Sequence, residues 1–169
     1  MSKLPSFLLR DCTAWIDRVS KLGQIGDVTV PALGIKTEEL RNSGMIKPRE
    51  IHLGYEKLEF TVKLPGVDPQ VYALFGLKPG SDTQIIVTGA LVSEDGTTVN
   101  ATLTLRGFFK GANGGSWKPG ELGENDHSFA VHYYKMEIAG EPIIEVDDFD
   151  VVVRGQSQRG DINQALLIT

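Results

Sequence analysis

The 169-residue chain is poor in several things that would each point to a function. It has one cysteine, Cys12, so no intrachain disulfide can form and a four-thiolate zinc site is excluded. It lacks long apolar runs: stretches such as 85–87 and 165–168 fall far short of the ~20 residues that span a bilayer. Before charge begins, the start of the chain offers only Phe7 to Leu9 as an apolar run, whereas a secretory core needs about 7 to 15 residues, so no secretory signal is expected. Cations are scarce too, with 17 Lys plus Arg against 22 Asp plus Glu and a formal charge of −5. That balance argues against a protein that grips a nucleic-acid duplex, because neutralising phosphate needs clustered Lys and Arg. What is present is an ordinary globular composition, 41% hydrophobic and 23% charged, at a length that fits one soluble domain with a core of its own.

The dominant periodicity is two. Leu58, Phe60, Val62 and Leu64 alternate with Lys57, Glu59, Thr61 and Lys63, which predicts a strand with one face in a core and one wet. Segments 83–92 and 97–109 flank Asp95-Gly96, a strong hairpin signal. In the second of them Val99, Ala101, Leu103 and Leu105 face one way, while Thr98, Asn100, Thr102, Thr104 and Arg106 face the other. Segment 128–138 alternates with a slip: Phe129, Val131 and Tyr133 share one parity, Tyr134, Met136 and Ile138 the other. A bulge at Tyr133-Tyr134 would bring both sets to the core. Segment 143–153 reads as a further strand, 28–30 as a short one stopped by Pro31, and 35–41 as extended. The helical candidate is 69–75, with Asp68 as N-cap, proline at the first position, and Gly76 to end it. Segments 41–56 and 111–123 read as loops, and 154–161 as a polar linker before an apolar end. The chain is strand-dominated with one short helix.

Constellations that carry chemistry are weak. His127 and His132 sit five apart, which on a strand places them on opposite faces unless a bulge intervenes, so they read as surface histidines. Gly111 to Ser116 lacks the Gly-Lys-Ser/Thr of a phosphate loop. Glu145, Asp147, Asp148 and Asp150 lack EF-hand spacing and read as a solvated strand. Cys12 has no cationic neighbour to activate it, and Trp15 and Trp117 read as packing residues. No catalytic set can be assembled, and no metal or other cofactor is expected.

A longer pattern carries more. Leu40-Arg41-Asn42-Ser43-Gly44-Met45 is followed by Leu58-Glu59-Phe60-Thr61-Val62, then by Val71-Tyr72-Ala73-Leu74-Phe75-Gly76-Leu77, then by Leu105-Arg106-Gly107 with its glycine-rich loop. Last comes Tyr133-Tyr134-Lys135-Met136-Glu137-Ile138-Ala139-Gly140 with Glu145-Val146-Asp147 after it. In this order, over about 10–150, the chain resembles the major tail tube protein of contractile-tailed bacteriophages. The tube of R-type pyocins is similar, and type VI secretion tubes have a related fold. The resemblance implies a mainly β chain, a two-sheet β-sandwich or partial barrel with one short flanking helix, whose strands join neighbouring subunits into a ring. It implies a structural protein and not an enzyme, in which six copies form each ring and rings stack into a hollow tube conducting DNA. The implied partners are further copies of the chain, the tail sheath protein, the tape measure protein, and the baseplate and terminator proteins. DNA would pass through without specific binding, no membrane would be involved, and the place would be the virion tail, assembled in the host cytoplasm. Alternatives are the tube of an R-type pyocin or related particle that carries no DNA, and a carbohydrate-binding β-sandwich.

Two surfaces follow as expectations for a single domain over 1–169 with an extended N-terminal segment and a C-terminal arm over 154–169. The bore is expected to be lined by Glu59, Thr61, Lys63, Asn100, Thr102 and Thr104, because their strand mates need a core. The long loop 41–56 is expected to dock onto a neighbouring subunit through Arg41, Asn42, Ser43, Gly44, Met45, Ile46, Lys47 and Arg49, since it mixes charges with apolar anchors. Segment 121–150 holds nine acids against Lys135 alone, and acid facing a conduit would repel a polyanion.

Overall fold

The computed structural model describes residues 7–168. Residues 1–6, where the extended N-terminal segment begins, and residue 169, the last of the C-terminal arm, lie outside the described residues. In chain order the elements are β1 (Leu8–Ile16), β2 (Val19–Ser20), β3 (Val28–Thr29), β4 (Ile35–Leu40), β5 (Arg49–Tyr55), β6 (Leu58–Leu64) and α1 (Pro69–Tyr72). They continue with β7 (Thr83–Val92), β8 (Thr98–Asn113), β9 (Asn125–Ile138), β10 (Glu141–Val146), β11 (Val151–Val153), β12 (Gln156–Ser157) and α2 (Gly160–Ala165).

Ten strands form one antiparallel sheet in the order β12-β11-β10-β9-β8-β7-β1-β2, with β6 branching from β9 and β3 pairing β6. Strand β9 organises it. One side of β9 pairs with β8 from Asp126 to Ile138. The other side is divided: β6 takes Asn125 to Val131, and β10 takes Tyr134 to Ile138. The division falls at His132, which the register skips between Tyr133, opposite Arg106, and Val131, opposite Gly107. The bulge therefore lies one residue before the expected Tyr133-Tyr134, where β9 exchanges one partner for another. Tyr134 consequently enters the core at 1% exposure, and Tyr133 stays on the opposite face.

The core shows why the sheet curves. Leu58, Phe60, Val62 and Leu64 of β6 join Ala14 and Ile16 of β1, although β9, β8 and β7 separate the two strands in the ladder. Ile85, Leu105, Phe109, Phe129 and Val71 complete the cluster. A flat sheet could not bring β1 and β6 together, so the fold is a partly closed barrel with α1 over one opening. Asp68 caps α1 by accepting from the Gln70 N–H at 3.0 Å. The helix ends at Tyr72, short of the expected 75, and a turn carries the chain on from there. Asn125 anchors the approach to α1, donating to the carbonyls of Leu64 and Gly66 and accepting from the Tyr72 hydroxyl.

Several expected boundaries are corrected. Segment 41–56 is not a loop throughout: β5 pairs antiparallel with β4 in a separate two-stranded sheet, leaving only 41–48 as the turn. The alternation of Ile51 with Leu53 and Tyr55 was the strand signal, obscured by Pro48 and by the bulge that the register places at Leu53. Segment 143–153 is two strands, because Asp147 turns the chain by accepting from the N–H groups of Phe149 and Asp150. The linker and apolar end contain β12 and a second helix, α2. Strand β8 runs on to Asn113, so the glycine-rich loop begins later than expected.

Candidate functional site

Two surfaces stand out. The first is the face of the sheet turned away from the core. Register places Glu59, Thr61 and Lys63 of β6 beside Ala130, Ser128 and Asp126 of β9. On the same face Thr102, Thr104 and Arg106 of β8 lie beside Glu137, Lys135 and Tyr133, and Asn100 lies beyond them opposite Ala90 of β7. All six expected bore residues thus share one face, opposite the buried Phe60, Val62 and Leu105.

Charge on this face is paired. Lys110 lies 2.9 Å from Glu59, Lys135 lies 3.0 Å from Glu137, and the Tyr133 hydroxyl donates to Glu145 at 2.7 Å. The Arg106 guanidinium sits 4.5 Å from the centroid of the Tyr133 ring. The Lys110 hydrogen bond and charge hold the Glu59 carboxyl below its usual range, and Glu137 holds the Lys135 ammonium above its own. Burial first, then Glu145, raises the Tyr133 phenol. Glu59, Asp126, Glu137 and Glu145 are matched in number by Lys63, Arg106, Lys110 and Lys135. The acid excess of 121–150 is therefore not carried by this face. Glu121, Glu124, Glu141, Asp147, Asp148 and Asp150 occupy loops, turns and strand ends instead.

The second surface is the β4–β5 hairpin. Every residue of β4 is exposed, and so is every residue of β5 except Gly54. Its turn is closed by Met45 N–H donating to the Asn42 carbonyl, Arg41 Nε donating to the Met45 carbonyl, and Gly44 at φ +88. Arg41, Asn42, Ser43, Gly44, Lys47 and Arg49 are exposed, Met45 is half-buried, and Ile46 at the tip is 94% exposed. An isolated two-stranded hairpin is marginal in water and needs further strands or a packing layer, and among the described residues no other strand pairs with it.

Further exposed apolar residues lie elsewhere: Leu8 and Leu9 on β1, Phe149 in the β10–β11 turn, and Ile162, Leu166 and Leu167 at the end. The short apolar runs at 7–9 and 165–168 signalled four of them in the sequence, and nothing signalled Phe149 or Ile162.

His127 departs from expectation. It is fully buried, between the Tyr72 ring at 5.0 Å and the Phe109 ring at 5.4 Å, while His132 is exposed on the bulge beside Phe108. Among the described residues no three His, Cys, Asp or Glu side chains converge as metal ligands, and no helix is long and apolar enough to cross a membrane.

Comparison with known proteins agrees with these features. The tail tube protein of Escherichia phage P2 is 26% identical over 148 residues, covering 85% of this chain and 86% of that protein. Two cryo-EM structures share the fold. One is the PVC sheath-tube complex of an extracellular contractile injection system in its extended state, with a TM-score of 0.55 at 12% identity over 75% of this chain and 87% of that one. The other is the six-fold symmetrised baseplate of the anti-feeding prophage, with a TM-score of 0.51 at 11% identity over 81% and 95%. The profile of the phage tail tube protein FII family matches residues 7–166. With nearly its whole length matched, a mainly antiparallel β fold and a chain-length relative in a phage tail, the protein belongs to the phage tail tube protein FII family, structural components of the contractile-tail virion.

Proposed function

We propose that the chain assembles as homohexameric rings that stack into the inner tube of a contractile phage tail, and that the tube conducts DNA into the host. One observation carries this reading: the β4–β5 hairpin exposes Ile35, Leu40, Ile46, Ile51, Leu53 and Tyr55, and no other described strand pairs with it. Apolar surface of that extent marks an interaction site, and further copies of the chain supply the missing layer. The paired-charge face of β6, β8 and β9 lines the bore in this reading. Its short polar side chains and balanced ions give passing DNA no cationic patch to hold it. The role is structural and not enzymatic. The tail sheath protein packs outside, and the tape measure, baseplate and terminator proteins are its further partners.

The six-fold symmetry of the anti-feeding prophage baseplate supports the ring number. A second reading, a DNA-free injection particle, draws on the injection-system origin of the structures that share the fold. DNA packaged in purified particles separates the two.

The test of assembly replaces residues 43–49 with a short Gly/Ser linker. The expected product is a folded monomer by sedimentation and circular dichroism that no longer makes tubes in negative stain. Normal tubes from that variant would remove the hairpin from the interface.

A further inference from the structure

At the root of the hairpin lies a groove of ~720 Å³. Leu53 and Tyr55 of β5, Val131 of the bulged β9 and Ile162 of α2 give it apolar lining. The lining carries four carboxylates, Glu56, Asp147, Asp148 and Asp150, against two cations, Lys57 and Arg159. Asp147, Asp148 and Asp150 form no ion pair among the described residues. The turn that bears them is held by its own hydrogen bonds, with Asp147 accepting from two backbone N–H groups and Asp150 from the Ser157 hydroxyl.

The opposite end of the hairpin has the complementary character. Between residues 41 and 49 there are three cations, Arg41, Lys47 and Arg49, and no acid. None of the three forms an ion pair among the described residues. Ile46 projects at their centre. We infer that the groove is the socket for the hairpin tip of a second copy of the chain, with Ile46 entering against the apolar lining and the three cations meeting Asp147, Asp148 and Asp150. This rests on the tube reading and names the acceptor surface within it.

The tip cannot fill its own socket. Paired strands of six residues at about 3.4 Å each carry it roughly 20 Å from its root. Tip and root are different surfaces, so the contact is head-to-tail. Such contacts propagate until they close into a ring or continue as a helix, which is the geometry a tube requires.

The test uses two single-cysteine variants of the full chain, Ile46→Cys and Asp148→Cys, each in a Cys12→Ser background, oxidised separately and mixed. The expected result is a disulfide-linked dimer that forms in the mixture, and a ladder of multimers from the chain carrying both cysteines. Self-linking of Ile46→Cys without any link to Asp148→Cys would overturn the socket in favour of tip-to-tip docking. A second arm uses Asp148→Lys, whose native carboxylate makes no hydrogen bond among the described residues. This change should raise the concentration needed for assembly roughly tenfold, and adding Lys47→Glu should bring it back toward the wild-type value. Unchanged assembly by Asp148→Lys, alongside failure by an Arg41→Glu/Lys47→Glu chain, would overturn the socket and leave the tube reading standing. A wild-type chain that stays monomeric at every concentration would overturn both.

Discussion

The ammonium of Lys21 lies 2.6 Å from Oδ2 of Asp68, and the lysine side chain is only 2% exposed. Lys21 also donates to the Gln70 side-chain oxygen at 3.1 Å, so one buried cation ties the segment after β2 to the first turn of α1. Removing one partner of a buried pair strands the other charge. Asp68→Ala is expected to cost about 3–5 kcal/mol in urea unfolding, and Lys21→Met less, because the Asp68 carboxylate it leaves behind is 14% exposed and still accepts from the Gln70 N–H, whereas Asp68→Ala strands a fully buried ammonium. Equal costs would deny the pair this role. Burial pushes the Asp68 carboxyl up, but Lys21 and the N–H groups of Gln70 and Val71 more than offset it and hold the group below its ordinary 3.8. The stability it contributes is present above that value and lost as pH falls through the depressed one. Asp68→Asn should flatten the acid limb of the stability curve below about pH 4.

His127 sets a second pH response, at milder acidity. Burial lowers its pKa from 6.5, opposed by Asp68 near the start of α1 and by Asp126, its neighbour on β9. Tyr72 and Phe109 pack against the ring itself. A histidine depressed in the folded state leaves the unfolded chain binding more protons, so stability declines as pH falls below about 6.5. His127→Phe is expected to flatten the melting temperature between pH 6.5 and 5. An unchanged slope in that variant would assign the response to another group.

Gly107 lies at the β9 bulge, where a Cβ would fall inside the van der Waals shell of the Ala130 carbonyl. Both sides of that clash are backbone, so relief requires the strands to part. Gly107→Ala is expected to destabilise by about 3 kcal/mol or more, at the upper end of overpacking costs. Gly66→Ala meets open space and should stay within about 0.5 kcal/mol. Chemical denaturation of the two variants side by side decides the matter.

The bore assignment can be tested by adding charge. Thr61→Lys, Thr102→Lys and Thr104→Lys together place three more cations on the face that already bears Lys63, Arg106 and Lys135. Tubes of the triple variant are expected to retain short DNA at low salt and release it as salt rises. DNA held in a bore resists nuclease, whereas DNA bound to the outer wall is digested. Digestion would put this face on the outside.

What the sequence disclosed follows the physics of each element. Strands β6 and β8 were legible because one face meets the chain's own core and the other meets water, which imposes strict alternation at Leu58–Leu64. Strand β1 was not, because its register shifts between Leu9 and Asp11 and the parity breaks there. Strand β5 was hidden for a deeper reason: its hairpin has no core of its own, so no demand from within the chain orders Ile51, Leu53 and Tyr55. Helix α2 has Arg159 at its N-cap position with no side-chain cap bond, and it buries nothing. The residues expected on the bore follow from parity, and the structure brings them to one face. The acidic socket escaped notice because Asp147–Asp150 and Leu53–Tyr55 meet only through the fold.

The long pairing of β8 with β9 over twelve register positions also has a mechanical meaning. Force applied along those strands loads every rung of the ladder together, whereas force across them would peel the rungs one at a time. The subunit is therefore stiffest parallel to β8 and β9 and more compliant at its short outer strands β2, β3 and β12, whose ladders have only two register positions each. A wall built from such units would deform first at its fringe while its β8–β9 ribs kept their shape.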